Sequence, residues 1–320
     1  MLINVIVFLV ILILTFVNGL TDATNAISTL VGTKVMSFRK ACMLSAFFDM
    51  IGILVMYYIN NSIVDCISGI ATLPDGTLGL TALCVGMISA IVFSTTAMLF
   101  GIPTSESHGL ISGITGAAIA IGGIQSVNIG QWENVVLGLL WSVIGTIILS
   151  KIVSLCIKTL VSKVNVKNIK RLQILSCCGM SFAHGAQDGL KFIGLMCIYT
   201  NIVTGNSILE NEIIIMLICA LTMGLGVLIG GKRIVTTVGE KMIKLENREA
   251  FCSDVSTILT LVMASFLGMP VSTTHVKTIA VASVSNKKLD IRKFREIALT
   301  WVMTFPICGI LAFVIMKLIV

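Results

Sequence analysis

The chain has 320 residues, of which 56% are hydrophobic and only 12% are charged, and its formal net charge is +7. Soluble globular proteins carry roughly 25% charged residues, so this composition excludes a soluble domain and favours membrane-spanning helices. The ten cysteines are scattered among apolar segments, without the spacing of a zinc site or a disulfide framework, and we expect free thiols.

The first predicted element is the apolar run at 1–17, which we interpret as a transmembrane helix because it lacks the basic region and cleavage site of a signal peptide. Most of the 22 Lys and Arg residues lie in four connecting segments: 34–40, 151–171, 232–248 and 287–295. Three other segments carry acidic residues and no basic ones: 60–79, 124–133 and 201–212. The positive-inside rule makes the basic segments cytoplasmic and both chain termini external. Because the Lys and Arg residues are divided among four segments and lack interleaved aromatic residues, we expect no nucleic-acid partner.

These assignments give the two halves of the chain opposite orientations. The stretch 80–123 begins and ends outside, as two passes or as a hairpin, whereas 249–286 begins and ends inside. We therefore expect a single transmembrane domain over 1–320, with inverted repeats at approximately 1–160 and 168–320 joined by a basic cytoplasmic loop. We predict an integral protein of the cell membrane, in contact with the lipid bilayer.

Two motifs recur in the two halves at nearly the same offset. Residues 101–108 read Gly-Ile-Pro-Thr-Ser-Glu-Ser-His and residues 268–275 read Gly-Met-Pro-Val-Ser-Thr-Thr-His, an offset of 167 (268 minus 101). Upstream, 18–25 corresponds to 184–191 when their aspartates are aligned, at an offset of 166 (188 minus 22). Inverted repeats are typical of secondary transporters, whose substrate lies near the membrane midplane between the repeats.

The Pro-containing motifs have the features of helices that begin inside the membrane. Pro ends the preceding helix, Ser and Thr cap the next one, and the free N–H groups of the new helix attract an anion. Two such starts facing each other would hold a compact oxyanion, and the candidate ligands are Ser105, Glu106, Ser107, Ser272, Thr273 and Thr274. The alternative is a pair of kinked helices whose hydroxyls bond back to helix carbonyls.

The upstream motifs supply hard oxygen ligands that suit a small cation. Asp22 with Asn25, and Asp188 in the second half, would lie on broken helices and could bind Na⁺; the alternative is an aspartate buried for packing. His184 and Asp188 have the spacing of a shared metal site, but a third ligand is not evident, so we expect no metal beyond this Na⁺ and no cofactor.

All three histidines lie in these motifs. His108, His184 and His275 are candidates for proton-linked groups, with structural hydrogen bonding at the helix start as the alternative for the first and last. Asp49, inside an apolar helix, faces either the transport path or an internal polar partner. Lys277 is expected to extend to the cytoplasmic side, with an ion pair to Glu106 across the repeat interface as the alternative. Asp254 is expected to lie near a helix start.

At these motifs the chain resembles the PiT family of inorganic phosphate transporters. Residues 270–275 match the Pro-Val-Ser-Thr-Thr-His hairpin tip of that family, 103–108 match it loosely, and 184–188 match most of its second Gly-x-Asn-Asp-x-x-Asn signature. The resemblance implies an all-α polytopic membrane protein with two inverted repeats, each with a broken signature helix and a helical hairpin whose tip reaches mid-membrane. It also implies phosphate between the tips, Na⁺ or H⁺ as coupling ion, symport by alternating access, and a homodimer.

Three positions depart from that pattern: Thr21 and Lys191 replace signature asparagines, and Glu106 replaces a threonine. The Lys191 ammonium could occupy the place of one bound Na⁺, so we expect one sodium site to be lost and coupling to depend partly or wholly on H⁺. Coupling is also expected from charge, since the phosphate anion and the two signature aspartates repel one another unless a cation or proton binds with them.

Three other functions compete with phosphate symport. A sulfate or other small-oxyanion permease could use the same scaffold, but ionised sulfate has no P–OH group to donate to nearby carboxylates. A channel would need a continuous pore. An enzyme would need a nucleophile and base at a defined spacing, and neither Gly-x-Ser-x-Gly nor His-Glu-x-x-His occurs, so we expect no enzymatic activity.

The proposed helix starts make a direct prediction for the two capping serines. Ser105→Ala and Ser272→Ala should each weaken phosphate binding, because each removes a hydroxyl and a helix cap at the anion site. Equilibrium binding of labelled phosphate to the purified variants measures this effect. Unchanged affinity in both variants would contradict the site.

Overall fold

The chain folds almost wholly into helices in the computed structural model, which describes residues 2–161, 165–206, 209, 211–242, 245–285 and 289–320. The first half contains eight α-helices: α1 (Leu2–Thr21), α2 (Thr24–Gly32), α3 (Phe38–Ile59), α4 (Ser62–Ser68), α5 (Thr77–Phe100), α6 (Glu106–Gly122), α7 (Ile129–Leu140) and α8 (Thr146–Val161). Short helical turns at Ile124–Ser126 and Trp141–Gly145 precede and follow α7.

The second half follows the same order with seven α-helices: α9 (Val166–His184), α10 (Leu190–Thr204), α11 (Glu212–Ile229), α12 (Lys232–Thr236), α13 (Asn247–Phe266), α14 (Thr273–Val284) and α15 (Ile291–Ile319). Wide π-type turns occupy Gly185–Gly189 and Thr237–Lys241. Apart from one isolated bridge between Ala71 and Val127, the described part of the chain has no β-structure.

Seven helical stretches in the described residues are long and apolar enough to cross a membrane: Leu2–Gly32, Phe38–Ile59, Thr77–Phe100, Ile129–Ile157, Glu212–Ile229, Asn247–Phe266 and Ile291–Ile319. Their outer faces expose large aliphatic side chains such as Leu9, Leu299 and Ile310. The interior, by contrast, contains a set of buried polar and charged side chains, among them Asp22, Asp188 and Lys191. Lipid is the solvent that makes this distribution favourable, and the predicted all-α membrane fold is confirmed.

The basic segment 151–171 was expected to be a loop, and this expectation is wrong for most of its length. Helix α8 continues to Val161 and α9 begins at Val166, so Lys151, Lys167, Lys170 and Arg171 lie on helices and not in an unstructured connector. Long Lys and Arg side chains suit such positions because their charged ends reach the polar interface. Residues 162–164, 207–208, 210, 243–244 and 286–288, which contain part of the predicted connecting segments, lie outside the described residues.

Helices α5 and α6 pack against each other as a hairpin, as do α13 and α14. In each hairpin the first arm is longer: α5 has 24 residues against 17 in α6, and α13 has 20 against 12 in α14. At a rise of 1.5 Å per residue, the second arms are about 10 Å shorter. The chain therefore turns back on itself before α6 and α14 begin, and both helices begin among buried residues.

A glycine with positive φ follows the long arm in both hairpins. Gly101 has φ +70° and Gly268 has φ +66°, the left-handed conformation that commonly ends a helix and that side chains beyond glycine rarely adopt. Pro103 and Pro270 lie two residues later and prevent the helix from continuing. The two hairpin tips thus have the same local construction, as the repeated motif predicts.

The two signature helices differ from each other. The first is interrupted, with α1 ending at Thr21 and α2 beginning at Thr24. The second was expected to be broken as well, but α9 and α10 form a continuous helix through the π-type turn. Gly185 lies against the backbone of Asp49 on α3, where a Cβ atom would come within 2.1 Å of its carbonyl oxygen. This packing holds the widened turn in place without a break.

Candidate functional site

The candidate site begins where the two hairpin tips meet. Ser105 caps α6 by accepting a hydrogen bond from the backbone N–H of His108 at 3.3 Å, and Ser272 caps α14 by accepting one from His275 at 3.3 Å. The rings of the two histidines lie 4.9 Å apart between their centroids. Every predicted site residue is buried, none of them more than 4% exposed.

In the second half, Asp188 is surrounded by hydrogen-bond donors. Its carboxylate accepts from the Lys191 ammonium at 2.5 Å and from the Thr273 hydroxyl at 2.9 Å, and it lies 3.1 Å from Nε2 of His184. Lys191 also donates to the Ser107 hydroxyl at 2.7 Å and to the Val271 carbonyl at 2.7 Å. The ammonium is thus held by a carboxylate, a hydroxyl and a carbonyl, which are also typical ligands of Na⁺.

In the first half, Asp22 has weaker donors and no cation. Its carboxylate accepts from the Thr274 hydroxyl at 3.3 Å and from the Asn18 amide at 3.4 Å. Asn25 donates to the same Thr274 hydroxyl at 2.8 Å. The first signature therefore contacts the second hairpin, through two oxygen-rich side chains and a shared hydroxyl.

The contacts of the two halves correspond position by position. Ser107 and Thr274 occupy the same place in the two hairpin motifs, and each contacts the signature of the opposite half. Asn25 occupies the place of Lys191, and Asn18 the place of His184. The repeated motifs thus form one pair of half-sites in which the framework is shared and the charges differ.

Glu106 is the main difference on the hairpin side. It stands where the second half has Thr273, and its surroundings include Asn18 and Asp22. The side chain is buried, and neither carboxyl oxygen accepts a hydrogen bond from the residues that the structure describes. The amide oxygens of Asn18 and Asn25 also lack partners among the described residues. Several buried oxygens without donors are a suitable environment for a hard cation. Clusters of three or more His, Cys, Asp or Glu ligands do not occur in the described part of the chain.

His184 links the site to a second aspartate. Its Nδ1 lies 2.9 Å from Oδ1 of Asp49 on α3, and its Nε2 faces Asp188. Of the two interpretations left open for Asp49, the structure shows the internal polar partner. The sequence did not identify Asp49 as part of this network, although a lone carboxylate inside an apolar helix was a signal that it needed a partner.

His108 and His275 lie in an aromatic environment. His108 stacks on Phe305 at 4.5 Å and His275 packs on Trp301 at 3.9 Å between ring centroids. None of their ring nitrogens has a hydrogen-bond partner in the described structure. The hydrogen bonding at the helix starts that was considered for these residues is made by their backbone N–H groups, and packing against α15 positions the rings.

Two expectations outside the site are also wrong. Lys277 does not extend to the surface: it is fully buried and forms an ion pair with Asp254, which lies in the middle of α13 and not near its start. The cause is the short second arm of the hairpin. Because α14 begins inside the protein, Lys277 is only one turn from a buried cap.

A model of the phosphate transporter family matches the chain twice, at residues 18–171 and 162–312. The chain belongs to the phosphate transporter family. A relative from Bacillus subtilis (strain 168), named "Probable low-affinity inorganic phosphate transporter", is 30% identical over 95% of this chain and 94% of its own length. A relative of the same name from Rhizobium meliloti (strain 1021) is also 30% identical, over 93% of this chain and 90% of its own.

A solved structure has the same fold. It is described as "The sodium-dependent phosphate transporter" and aligns with a TM-score of 0.81, covering 100% of this chain and 99% of that one, at 22% identity. The chain is therefore an integral membrane protein with the fold of a known transporter. The family and its named relatives are transporters and not enzymes, in agreement with the absence of a catalytic motif.

The two aspartates of the site should respond differently to neutralisation. Asp188→Asn leaves the buried Lys191 ammonium without its carboxylate. The free energy of unfolding should therefore fall by about 3–5 kcal/mol. Asp22→Asn is the matched control, because it removes a carboxylate that has no cation beside it, and it should cost much less. Thermal unfolding of the purified variants in Na⁺-free detergent solution measures both. Equal destabilisation would contradict this description of the charges.

Proposed function

We propose that the chain carries inorganic phosphate across the membrane together with a monovalent cation, Na⁺ or H⁺, by exposing a buried site alternately to the two sides. The observation that supports this most directly is the meeting of two capped helix starts, α6 and α14, at a place closed to solvent. The first-turn N–H groups and the positive ends of both helix dipoles suit a multivalent anion.

The proposed anion ligands are the hydroxyls and first-turn amides of the two tips: Ser105, Ser107, Ser272, Thr273 and Thr274. The caps accept hydrogen bonds from backbone N–H groups, so their hydroxyl hydrogens are available to an anion. Glu106 is proposed as an acceptor for a P–OH group, since phosphate at neutral pH retains such groups and sulfate does not. This preference supports phosphate over sulfate on the same scaffold.

The proposed cation ligands lie in the first half: Asp22, Asn25 and the neighbouring oxygens that lack donors. In the second half the Lys191 ammonium is proposed to take the place of a bound Na⁺, since its three oxygen partners would otherwise surround the ion. Asp188 then serves as the counter-ion of Lys191. The proton-linked roles of His108, His184 and His275, the homodimer, the cell membrane and the external termini all stay predictions.

The test of this function is uptake of labelled phosphate into proteoliposomes. An inward Na⁺ gradient or an inward H⁺ gradient should drive accumulation above the equilibrium level, because the anion enters with a cation. Excess unlabelled sulfate should compete far less than unlabelled phosphate. If neither gradient produced accumulation, the symport proposal would be overturned, and equal competition by sulfate would make the chain a general oxyanion transporter.

Lys191→Asn should change the ion dependence of this uptake. The substitution restores an amide at the position equivalent to Asn25 and removes the tethered cation, so a Na⁺ requirement should appear or increase. Uptake measured against Na⁺ concentration at fixed pH gives the result, and Lys167→Asn, an exposed residue near the start of α9, is the control. Identical Na⁺ curves for parent and Lys191→Asn proteins would refute the role of Lys191.

A further inference from the structure

A row of buried polar side chains leads away from the site along α2. Asn25 contacts Thr274, and one helical turn further on Thr29 contacts Lys277, whose ammonium donates to the Thr29 hydroxyl at 3.1 Å. Lys277 is ion-paired with Asp254, and Thr29 donates to the same carboxylate at 2.7 Å. Helices α2 and α14 are thus joined by two polar contacts one helical turn apart, Asn25 with Thr274 and Thr29 with Lys277.

The row continues to the surface. Ser176 on α9 donates to Asp254 at 2.8 Å, and one turn before it Gln173 donates to the Thr33 hydroxyl at 2.8 Å. Asn247, the first residue of α13, donates to Gln173 at 3.0 Å. Thr33 and Asn247 are half-buried, and they lie beside the basic segments 34–40 and 232–248.

We call these residues the polar row: Thr29, Thr33, Gln173, Ser176, Asn247, Asp254 and Lys277. It connects the site with the side of the basic segments through elements of both halves. Fully buried charges and amides are costly inside a membrane protein unless they serve a path or a partner.

The equivalent positions of the repeat, all of them among the described residues, form no such row. Applying the offsets of 166 and 167 gives the equivalent positions, and all of them are apolar or aromatic: Val7, Val10, Leu80, Met87, Leu110, Leu195 and Tyr199. Five of them are buried in a single hydrophobic cluster, and Val10 and Tyr199 pack against it. We call this set the apolar counterpart.

The contrast is sharpest at the step next to the site. Ser107 contacts Lys191 and is followed one turn later by Leu110, which is buried in the same cluster as Leu195. The equivalent positions in the polar row carry the ion-paired Lys277 and Thr29. A requirement for packing alone would be met by apolar residues on both sides, as the apolar counterpart demonstrates. The polar row therefore calls for a function that its counterpart does not have.

We propose that the Lys277–Asp254 pair is the gate of the transport path on the side of the basic segments, and that Lys277 is the cation that receives the phosphate anion beyond the hairpin tips. This inference rests on the proposed transport of phosphate. With the gate closed, Asp254 neutralises Lys277 and the polar row is dry. When α13 and α14 separate from α2, water reaches both charges and the Lys277 ammonium becomes available to the anion.

The apolar counterpart supplies the residues for a test that preserves packing. The double variant Lys277→Leu/Asp254→Met places in the gate the pair that the other half carries at 110 and 87. The matched control exchanges the apolar pair itself, Leu110→Met/Met87→Leu. Phosphate binding to the detergent-purified proteins and uptake into proteoliposomes are measured for both variants and for the parent.

The gate variant should bind phosphate with an affinity within about twofold of that of the parent. Its uptake rate should be at least about tenfold lower, because a charge that lines a path accelerates the entry of an oppositely charged ligand by about this factor or more. The control should match the parent in both assays. Uptake by the gate variant at the parent rate would show that the ion pair has only a packing role and would overturn the proposal. Absence of uptake in the parent would instead contradict the transport function itself.

A second measurement leaves the ion pair intact. Thr29→Cys introduces a thiol in the polar row, and an impermeant anionic thiol reagent should modify it from the side of the basic segments during transport. Leu195→Cys, at the equivalent position of the apolar counterpart, should not react from that side, and the parent provides the background of its own cysteines. Modification of Thr29→Cys from the opposite side, or from neither, would overturn the proposal even if the double variant failed to fold.

Discussion

The rest of the structure depends on how charges are neutralised where water cannot reach them. Asp188 and Asp22 occupy equivalent positions, yet Asp188 has the ammonium of Lys191 at 2.5 Å while Asp22 has only hydroxyl and amide donors and the nearby Glu106. The second half-site thus contains its own compensating ammonium, and the first does not. A charge cannot stay uncompensated in this interior, so the carboxyl groups of the first half-site require a bound cation or proton.

The two half-sites differ at few positions. The second half has the positively charged Lys191 at the position of Asn25, and the first half has the carboxyl of Glu106 at the position of Thr273. The contacts of Ser107 and Thr274 with the opposite half are the same in both. Because the backbone framework is shared, each substitution changes the charge of a half-site without changing its position.

Local signals were sufficient to predict the buried helix starts, whereas the hairpins came from the resemblance to the family. Pro103 and Pro270 break a helix and the following serines cap the next one, and both effects act within a few residues. The partners of Asp49 and Lys277 were not predictable, because they come from α9 and α13 and depend on tertiary packing. The continuous second signature helix was missed for the same reason: its widened turn is held by the contact of Gly185 with α3.

An inverted repeat gives the two sides of a transporter equivalent backbone motions but not equal energies. Separating apolar surfaces exposes area to water at about 25 cal/mol per Å². Opening the polar row instead separates an ion pair whose members both gain solvation, so the Coulomb attraction that is lost is largely repaid by hydration. In the proposed transport cycle, the balance between inward-open and outward-open states would therefore be set by side chains such as Lys277 and Leu110, and the symmetry of the fold would not determine it.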